Sequence, residues 1–442
     1  MKKIVIIGGG ISGLALLHFL HKKYAGQPGV DIILLERETR AGGTIATQDV
    51  DGALFENGPN GFLDNQTATL ELVRDLGLEG ELICAKQGSQ IRYLRLGDKL
   101  HAFPTNSLQL FSFTALSLTD KLRILAEPFV PKGGNTGESV HDFAKRRFGA
   151  KTADLIFDCA VSGIYGGDSR KLNMCEAFGN LTDMEQKYGS IIKGLILRNL
   201  SFPKSSVGNP DKAIGRAKLL SFKKGMGQLI AALVERYRSS IHLAQEIKDI
   251  RGIKADEIFV CTPAHAAADI LHNSSPVLAQ HLRGIHYAPM AVAGLVYHKS
   301  AFDKPPKGFG YLVPSQENKT VLGVLFESNI FTGRVDGDHV LARVMMGGSR
   351  HPQEVFKPAG HLLRVAHESV ADVFPTNHAP VRTALTLWPK AIPQYDQDYA
   401  RLKPLIVQEL SRQPHIHLAA NYWNGVSFND CIKNAKNVAN IL

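Results

Sequence analysis

The 442-residue sequence predicts an α/β chain carrying α+β insertions, on three observations. A β-branched run, a glycine turn and an apolar-periodic stretch follow one another at the N-terminus. A second strand then ends on a carboxylate at the spacing a dinucleotide ribose requires. Further on, residues 116–200 read as mostly helical and residues 277–346 as mostly strand. Taken in order, Lys3 to Ile7 is the run expected of a buried parallel strand. Gly8, Gly10 and Gly13 hold the G-x-G-x-x-G spacing: a tight turn, backbone approach to a pyrophosphate, and close helix–strand packing. Ile11, Leu14, Leu17 and Leu20 recur at helical spacing, so a helix N-terminus turns its free N–H groups to the phosphates. Asp31 to Leu35 forms the second strand, and Glu36 stands 23 residues after Gly13, where a carboxylate takes ribose hydroxyls. Three glycines alone also occur in ordinary turns. With strand, helix, strand and acid in register, they point to a dinucleotide in a Rossmann-like domain.

The next residues narrow the dinucleotide. Arg40-Ala41-Gly42-Gly43-Thr44 resembles the second fingerprint of the FAD-binding amine oxidase and desaturase superfamily. There Arg40 would counter the pyrophosphate charge, and Gly42 and Gly43 would let the backbone pass close to FAD. Gly52 to Gly61 is dense in glycine and holds Pro59, as expected of backbone set close to a ligand such as the flavin ring.

The remaining chain alternates short elements. Leu70 to Leu78 reads as an amphipathic helix, and Ile91 to Leu94 with Lys99 to Phe103 as a β-hairpin. Leu108 to Phe113 is an apolar stretch fit to touch lipid. Lys218 to Ser239 reads as a loop and a helix, and Glu257 to Pro263 as a strand leaving the nucleotide domain. Strands are expected at Ala291–Tyr297, Gly310–Val313, Val321–Phe326 and Val340–Met346, and helices at Gly360–Phe374 and Tyr399–Ser411. A strand at Ile416–Ala420 and a helix at Asn429–Leu442 close the chain. The nucleotide domain is therefore expected to be assembled from separated pieces.

Composition excludes several classes. The chain is 44% apolar and 21% charged, which is ordinary for a folded protein. No apolar run reaches the roughly 18 residues needed to span a bilayer. The N-terminus enters a strand directly, so no targeting peptide is expected. Five scattered cysteines, never in C-x-x-C spacing, indicate a reducing compartment and argue against disulfide or zinc frameworks. His415 and His417 face one side of a strand, but no further ligand accompanies them, and no metal is expected. The net charge is +10, with nine Lys or Arg against two acids between Glu185 and Lys224. Such a run is usually a solvated face; an anionic membrane surface or an acidic substrate also fits, whereas no nucleic-acid module accompanies it.

Nearly end to end, the chain resembles the oxygen-dependent protoporphyrinogen oxidase family. Beyond the glycine fingerprints, the resemblance lies in Gly308-Phe309-Gly310-Tyr311-Leu312-Val313-Pro314, Val321 to Val324, and Met345 to Ser349. It continues in Ile392 to Tyr395, Gly425 to Ile432, and Tyr188 to Gly194. The sister family that oxidises coproporphyrinogen shares the fingerprints, but the Gly308–Pro314 hairpin fits the protoporphyrinogen branch better. The resemblance implies FAD-dependent removal of six hydrogens from a porphyrinogen, with O2 as acceptor and H2O2 released. It implies an FAD-binding domain over 1–85, 215–262 and 376–442, a mixed-sheet substrate domain over 86–95 and 263–375, and a helical membrane-binding insertion over 96–214. The basic run falls partly in that insertion, which suits peripheral attachment to the cytoplasmic face of a membrane; a homodimer is compatible with the reading.

Residue by residue, the resemblance implies that Gly8, Gly9, Gly10, Ile11, Ser12 and Gly13 hold the pyrophosphate and Glu36 the ribose. Arg37, Gly43 and Thr44 would touch neighbouring parts of FAD. Gly58, Pro59, Asn60 and Gly61 would border the flavin, with Ile247 near adenine. Trp388 would line the flavin, tertiary packing being an equal alternative. Asn421, Val426, Ser427 and Phe428 would bring a helix start to the pyrimidine end. For the substrate, Arg92 would grip a propionate by paired charge-assisted hydrogen bonds. Phe309 and Leu312 would sandwich the tetrapyrrole, Gly163 would make room, and Met345 would fill the wall. No catalytic side chain is required, because the flavin supplies the chemistry. Rival readings are another flavin amine oxidase or desaturase, and a redox-inactive FAD scaffold.

Overall fold

The computed structural model describes residues 2–104, 107–133, 137–201 and 217–441. A five-stranded parallel sheet forms the nucleotide domain, in the order Ile241–His242, Val30–Leu35, Lys2–Ile7, Glu257–Val260, Ile416–Leu418. Lys2–Ile7 is central because both its faces are apolar: Ile4 and Ile6 enter the core with Leu14, Leu17 and Phe259, while Val5 and Ile7 enter the opposite one with Ile258, Val260 and Leu271. Helix Ile11–Lys23 crosses back over this sheet and packs on the terminal helix Phe428–Ile441.

The second layer is a seven-stranded mixed sheet. Its order is Arg382–Pro393, Tyr287–His298, His339–Gly347, Val321–Phe326, Gly310–Leu312, Arg92–Leu96, Lys99–Ala102. Side chains alternate across it. Tyr311, Val324, Val344 and Ala293 form a core with helix Ala359–Ala371 on one face. The opposite face is turned to the nucleotide domain. Between the two layers the chain inserts the helices Leu118–Leu125, Val140–Phe148, Asp158–Tyr165, Met174–Tyr188 and Ile191–Ser201. No helix among the described residues is long and apolar enough to cross a membrane. All five cysteines are free.

Several expectations need correction. Residues 276–283 form the helix Pro276–Arg283 rather than the start of a strand region; Leu278, Ala279 and Leu282 are buried at helical spacing and Pro276 starts it. Arg382–Pro393 pairs with Tyr287–His298, so these residues belong to the large sheet and not to the nucleotide domain. It is an edge strand, which is why Pro389 and its polar residues are tolerated. Lys99–Ala102 likewise stays on that sheet, so the helical insertion begins after it rather than at residue 96. Leu219–Phe222, read as loop, is a strand between Phe62–Leu63 and Leu82–Cys84. Lys204, Lys212 and Arg216 of the basic run, and Leu442, lie outside the described residues.

Candidate active site

The two glycine fingerprints meet. Gly42 N–H donates to Gly9 O at 2.7 Å, and Gly10 and Gly42 form a parallel bridge. A Cβ on Gly13 would strike Gly8 O, and one on Gly8 (φ +108°) would press Cys261 at 3.0 Å; both close the turn. Gly10 is different: a Cβ there would meet nothing within 4 Å, and Gly43 stands against its Cα. The open space over Gly10 lies at the start of helix Ile11–Lys23, where no side chain caps the first-turn N–H groups. A cradle bounded by bare backbone and free donors fits a dinucleotide pyrophosphate. Glu36 is buried and accepts from Gly9 N–H at 2.5 Å and Glu38 N–H at 2.9 Å. Both oxygens keep lone pairs for a ribose hydroxyl. Gln245 N–H donates to Glu36 O, which brings the segment carrying Ile247 beside the ribose position.

Other candidate residues fall differently. Arg37 points to solvent and pairs with Glu38. Arg40 braces its own loop, donating to Ala41 O and to Gly43 O at 2.6 Å. Thr44 is exposed beside the cradle, and its carbonyl would be struck by a Cβ on Gly58. Pro59 follows Gly58, Asn60 donates to Glu327 at 3.4 Å, and a Cβ on Gly61 would meet Leu220 O at 2.5 Å. Trp388 donates from Nε1 to Asn57 O at 2.9 Å, so it braces this turn. Asn421 O accepts from the Tyr395 hydroxyl, and Val426 leads into the last helix. Ser427 and Asp430 cap that helix reciprocally, which sets a carboxylate at its positive end. Phe428 is a core residue with its ring 5.3 Å from Phe62; only its backbone is left to face a ligand.

The candidate substrate residues gather on the large sheet's inner face. Leu94, Leu312, Gly323, Met345 and Val292 form one row in register, and Arg92, Gly310, Leu325, Arg343 and Gly294 form the next. A Cβ on Gly163, from helix Asp158–Tyr165, would sit 3.5 Å from both Leu312 methyls, so the bare glycine widens the gap there. Arg92 lies 4.6 Å over the Phe309 ring. Among the described residues Arg92 has no carboxylate partner, and desolvation against its surroundings lowers its pKa. It is an exposed cation whose guanidinium is stacked on an aromatic ring.

Sequence reading missed a buried ionic quartet beneath the Asn57–Gly61 turn: Glu56, Glu327, Arg334 and Arg343. Glu56 lies 3.7 Å from Arg334, and Glu327 lies 3.5 Å from Arg343. Burial pushes Glu56 up to about 7, against the opposing pull of Arg334. The available signal was a charge inside an apolar strand, as in Ala342-Arg343-Val344. His417, by contrast, pairs with Glu257 at 2.9 Å.

The chain belongs to the flavin-containing amine oxidoreductase family, whose sequence profile matches residues 12–442. It is an oxidoreductase, and its cofactor is FAD. Within that family it groups with proteins named protoporphyrinogen oxidase. It is 30% identical to protoporphyrinogen oxidase 1 of Spinacia oleracea chloroplasts, over 98% of this chain and 82% of that one. It is 30% identical to protoporphyrinogen oxidase of Homo sapiens, over 99% and 98%. A crystal structure from Exiguobacterium sp. 255-15, provisionally assigned as a protoporphyrinogen oxidase, superposes with a TM-score of 0.81 at 20% identity, covering 100% and 98%. Cyclohexylamine oxidase from Brevibacterium oxydans IH-35A gives 0.65 at 14%, covering 100% and 99%. At these identities the structural likeness is one of fold.

Proposed function

We propose that this protein oxidises protoporphyrinogen IX to protoporphyrin IX, with O2 as electron acceptor and H2O2 as product. The observation that carries the reading is Arg92: a cation without a carboxylate partner among the described residues, stacked over Phe309 at the edge of an apolar sheet face. A flat apolar ligand bearing carboxylates suits that pairing. Near full-length similarity to protoporphyrinogen oxidases supports the choice of tetrapyrrole. FAD held by the Gly8–Gly13 cradle and Glu36 would supply the hydride-accepting chemistry there. The chain's own part is to bind and orient. Arg92 holds a propionate, Phe309 and Leu312 flank the ring, Met345 backs it, and Gly163 leaves space for its edge.

Membrane-surface attachment belongs to the same proposal. Helix Leu118–Leu125 is turned inside out: Leu118, Leu122 and Leu125 are exposed, while Lys121 is buried and donates to Phe111 O at 2.8 Å. Phe129, just beyond, is 86% exposed. An apolar patch of this kind supports insertion into a lipid surface.

The test is oxidation of protoporphyrinogen IX and coproporphyrinogen III in air by FAD-loaded protein, followed by porphyrin fluorescence. Protoporphyrin formed faster supports the proposal; preference for coproporphyrinogen moves the protein to the sister reaction; neither above blank refutes it. Arg92→Ala should raise KM roughly tenfold or more, as loss of a charge-assisted hydrogen-bond pair requires, with FAD content unchanged. An unaltered KM removes Arg92 from the site.

A further inference from the structure

Four charged side chains lie buried where the large sheet meets the nucleotide domain. Glu327 is 2% exposed, and its Oε2 accepts from Asn60 Nδ2 at 3.4 Å. Its other oxygen has no hydrogen-bond partner and faces Arg343 Nη1 at 3.5 Å. Arg343 sends Nη2 to the carbonyl of Gly58, while its Nε is unpartnered. Alongside, Glu56 accepts from Met226 N–H at 2.9 Å and Thr47 Oγ1 at 2.8 Å, and Arg334 donates to Phe222 O and Ser221 Oγ. A small cavity beside these contacts is lined by Glu56, Asn57, Glu327 and Arg343.

Stability does not explain such a cluster. Desolvating ions costs about as much as their attraction returns, and apolar residues of the same volume serve a core as well or better. Three orphaned polar atoms make the cost larger. What an apolar pair cannot do is hold a carbonyl and an amide at fixed points. Gly58 is pressed from the other side by Thr44, next to Gly43, which abuts Gly10 in the pyrophosphate cradle. The turn is therefore gripped between the glycine cradle and the sheet, and Arg343 with Glu327 forms the sheet-side grip.

We propose that Arg343 and Glu327 are positioning residues for the flavin, holding Gly58 and Asn60 so that the Asn57–Gly61 turn is set against the cofactor. Arg343 shares its sheet row with Arg92, so one rigid strand set orients the substrate's anchor and the flavin's turn together. The proposal rests on the FAD site and is independent of which porphyrinogen is oxidised.

The experiment titrates deflavinated protein with FAD and records the visible circular dichroism and midpoint potential of the bound flavin. Arg343→Lys and Glu327→Gln should each weaken FAD binding roughly tenfold, the effect of a buried carbonyl or amide losing its charged partner. The flavin dichroism should change with them. The paired replacement Glu327→Met with Arg343→Met removes both charges at matched volume, so it keeps the fold even if a single variant does not. It should retain the wild-type melting temperature and still show the weakened binding. A folded double variant with wild-type FAD affinity, dichroism and potential overturns the proposal. Wild-type protein that fails to bind FAD overturns the cofactor reading instead.

Discussion

Glu56 carries the clearest pH dependence at the scale of a single residue. Burial raises its carboxyl from 4.5 to about 7, with Arg334 and Met226 N–H opposing and Glu327 adding to the rise. Arg343 completes the charged surroundings. Between those values the folded protein keeps a proton that the unfolded chain releases. The stability from this site is therefore fully present below about pH 4.5 and is lost as pH rises through about 7. The shift corresponds to about 3 kcal/mol. Glu56→Gln fixes the neutral form, so its melting temperature should fall less than wild type between about pH 5 and pH 8. Parallel curves for the two proteins would show that Glu56 is ionised throughout. The glycine fingerprints were legible in the sequence because their spacing is local, whereas Arg92 was singled out by resemblance alone and its role belongs to the proposal. Glu56, Glu327, Arg334 and Arg343 were not legible, since they are brought together largely by contacts between residues more than a hundred positions apart, such as Asn60 and Glu327. Phe428 misled because a motif position does not say which way a side chain turns.

Among the elements, the helical insertion is tied by a buried ionic network in which Arg147 pairs with both Glu127 and Glu185. Glu127 and Arg147 are both fully buried. Glu127 accepts from Arg147 Nε at 2.8 Å, Ser190 Oγ at 2.5 Å, and the N–H groups of Ile191 and Ile192. It thus closes the start of helix Ile191–Ser201 and ties it to helix Val140–Phe148. Glu127→Ala leaves the buried Arg147 with Glu185 as its remaining carboxylate, leaves a helix start unpaired, and should cost about 3 kcal/mol in urea unfolding. A loss below about 1 kcal/mol would mean the network contributes little. Strongly periodic elements, such as Ile11–Lys23 and Val321–Phe326, were readable. Arg382–Pro393 and Leu219–Phe222 were not, because their partners come from distant parts of the chain and an edge strand needs no alternation.

Across the whole molecule, the exposed leucine face and Phe129 form one apolar patch on the helical insertion. Leu122→Glu with Phe129→Glu should lower co-sedimentation with phosphatidylglycerol vesicles several-fold, the loss expected from removing two buried apolar anchors, while bound flavin absorbance reports the fold. Equal sedimentation would detach this helix from the membrane proposal. Both glycine fingerprints lie in the first stretch of the nucleotide sheet, and neither the partners of its later strands nor the sheet order can be read from them. Its strands come from residues 2–7, 30–35, 241–242, 257–260 and 416–418. A ribosome must therefore have delivered residues 416–418 before the last strand of this sheet can dock, and a nascent chain that already shows its glycine fingerprint waits for that strand. Truncation ahead of residue 416 should yield colourless protein: capture of the yellow cofactor marks a finished sheet.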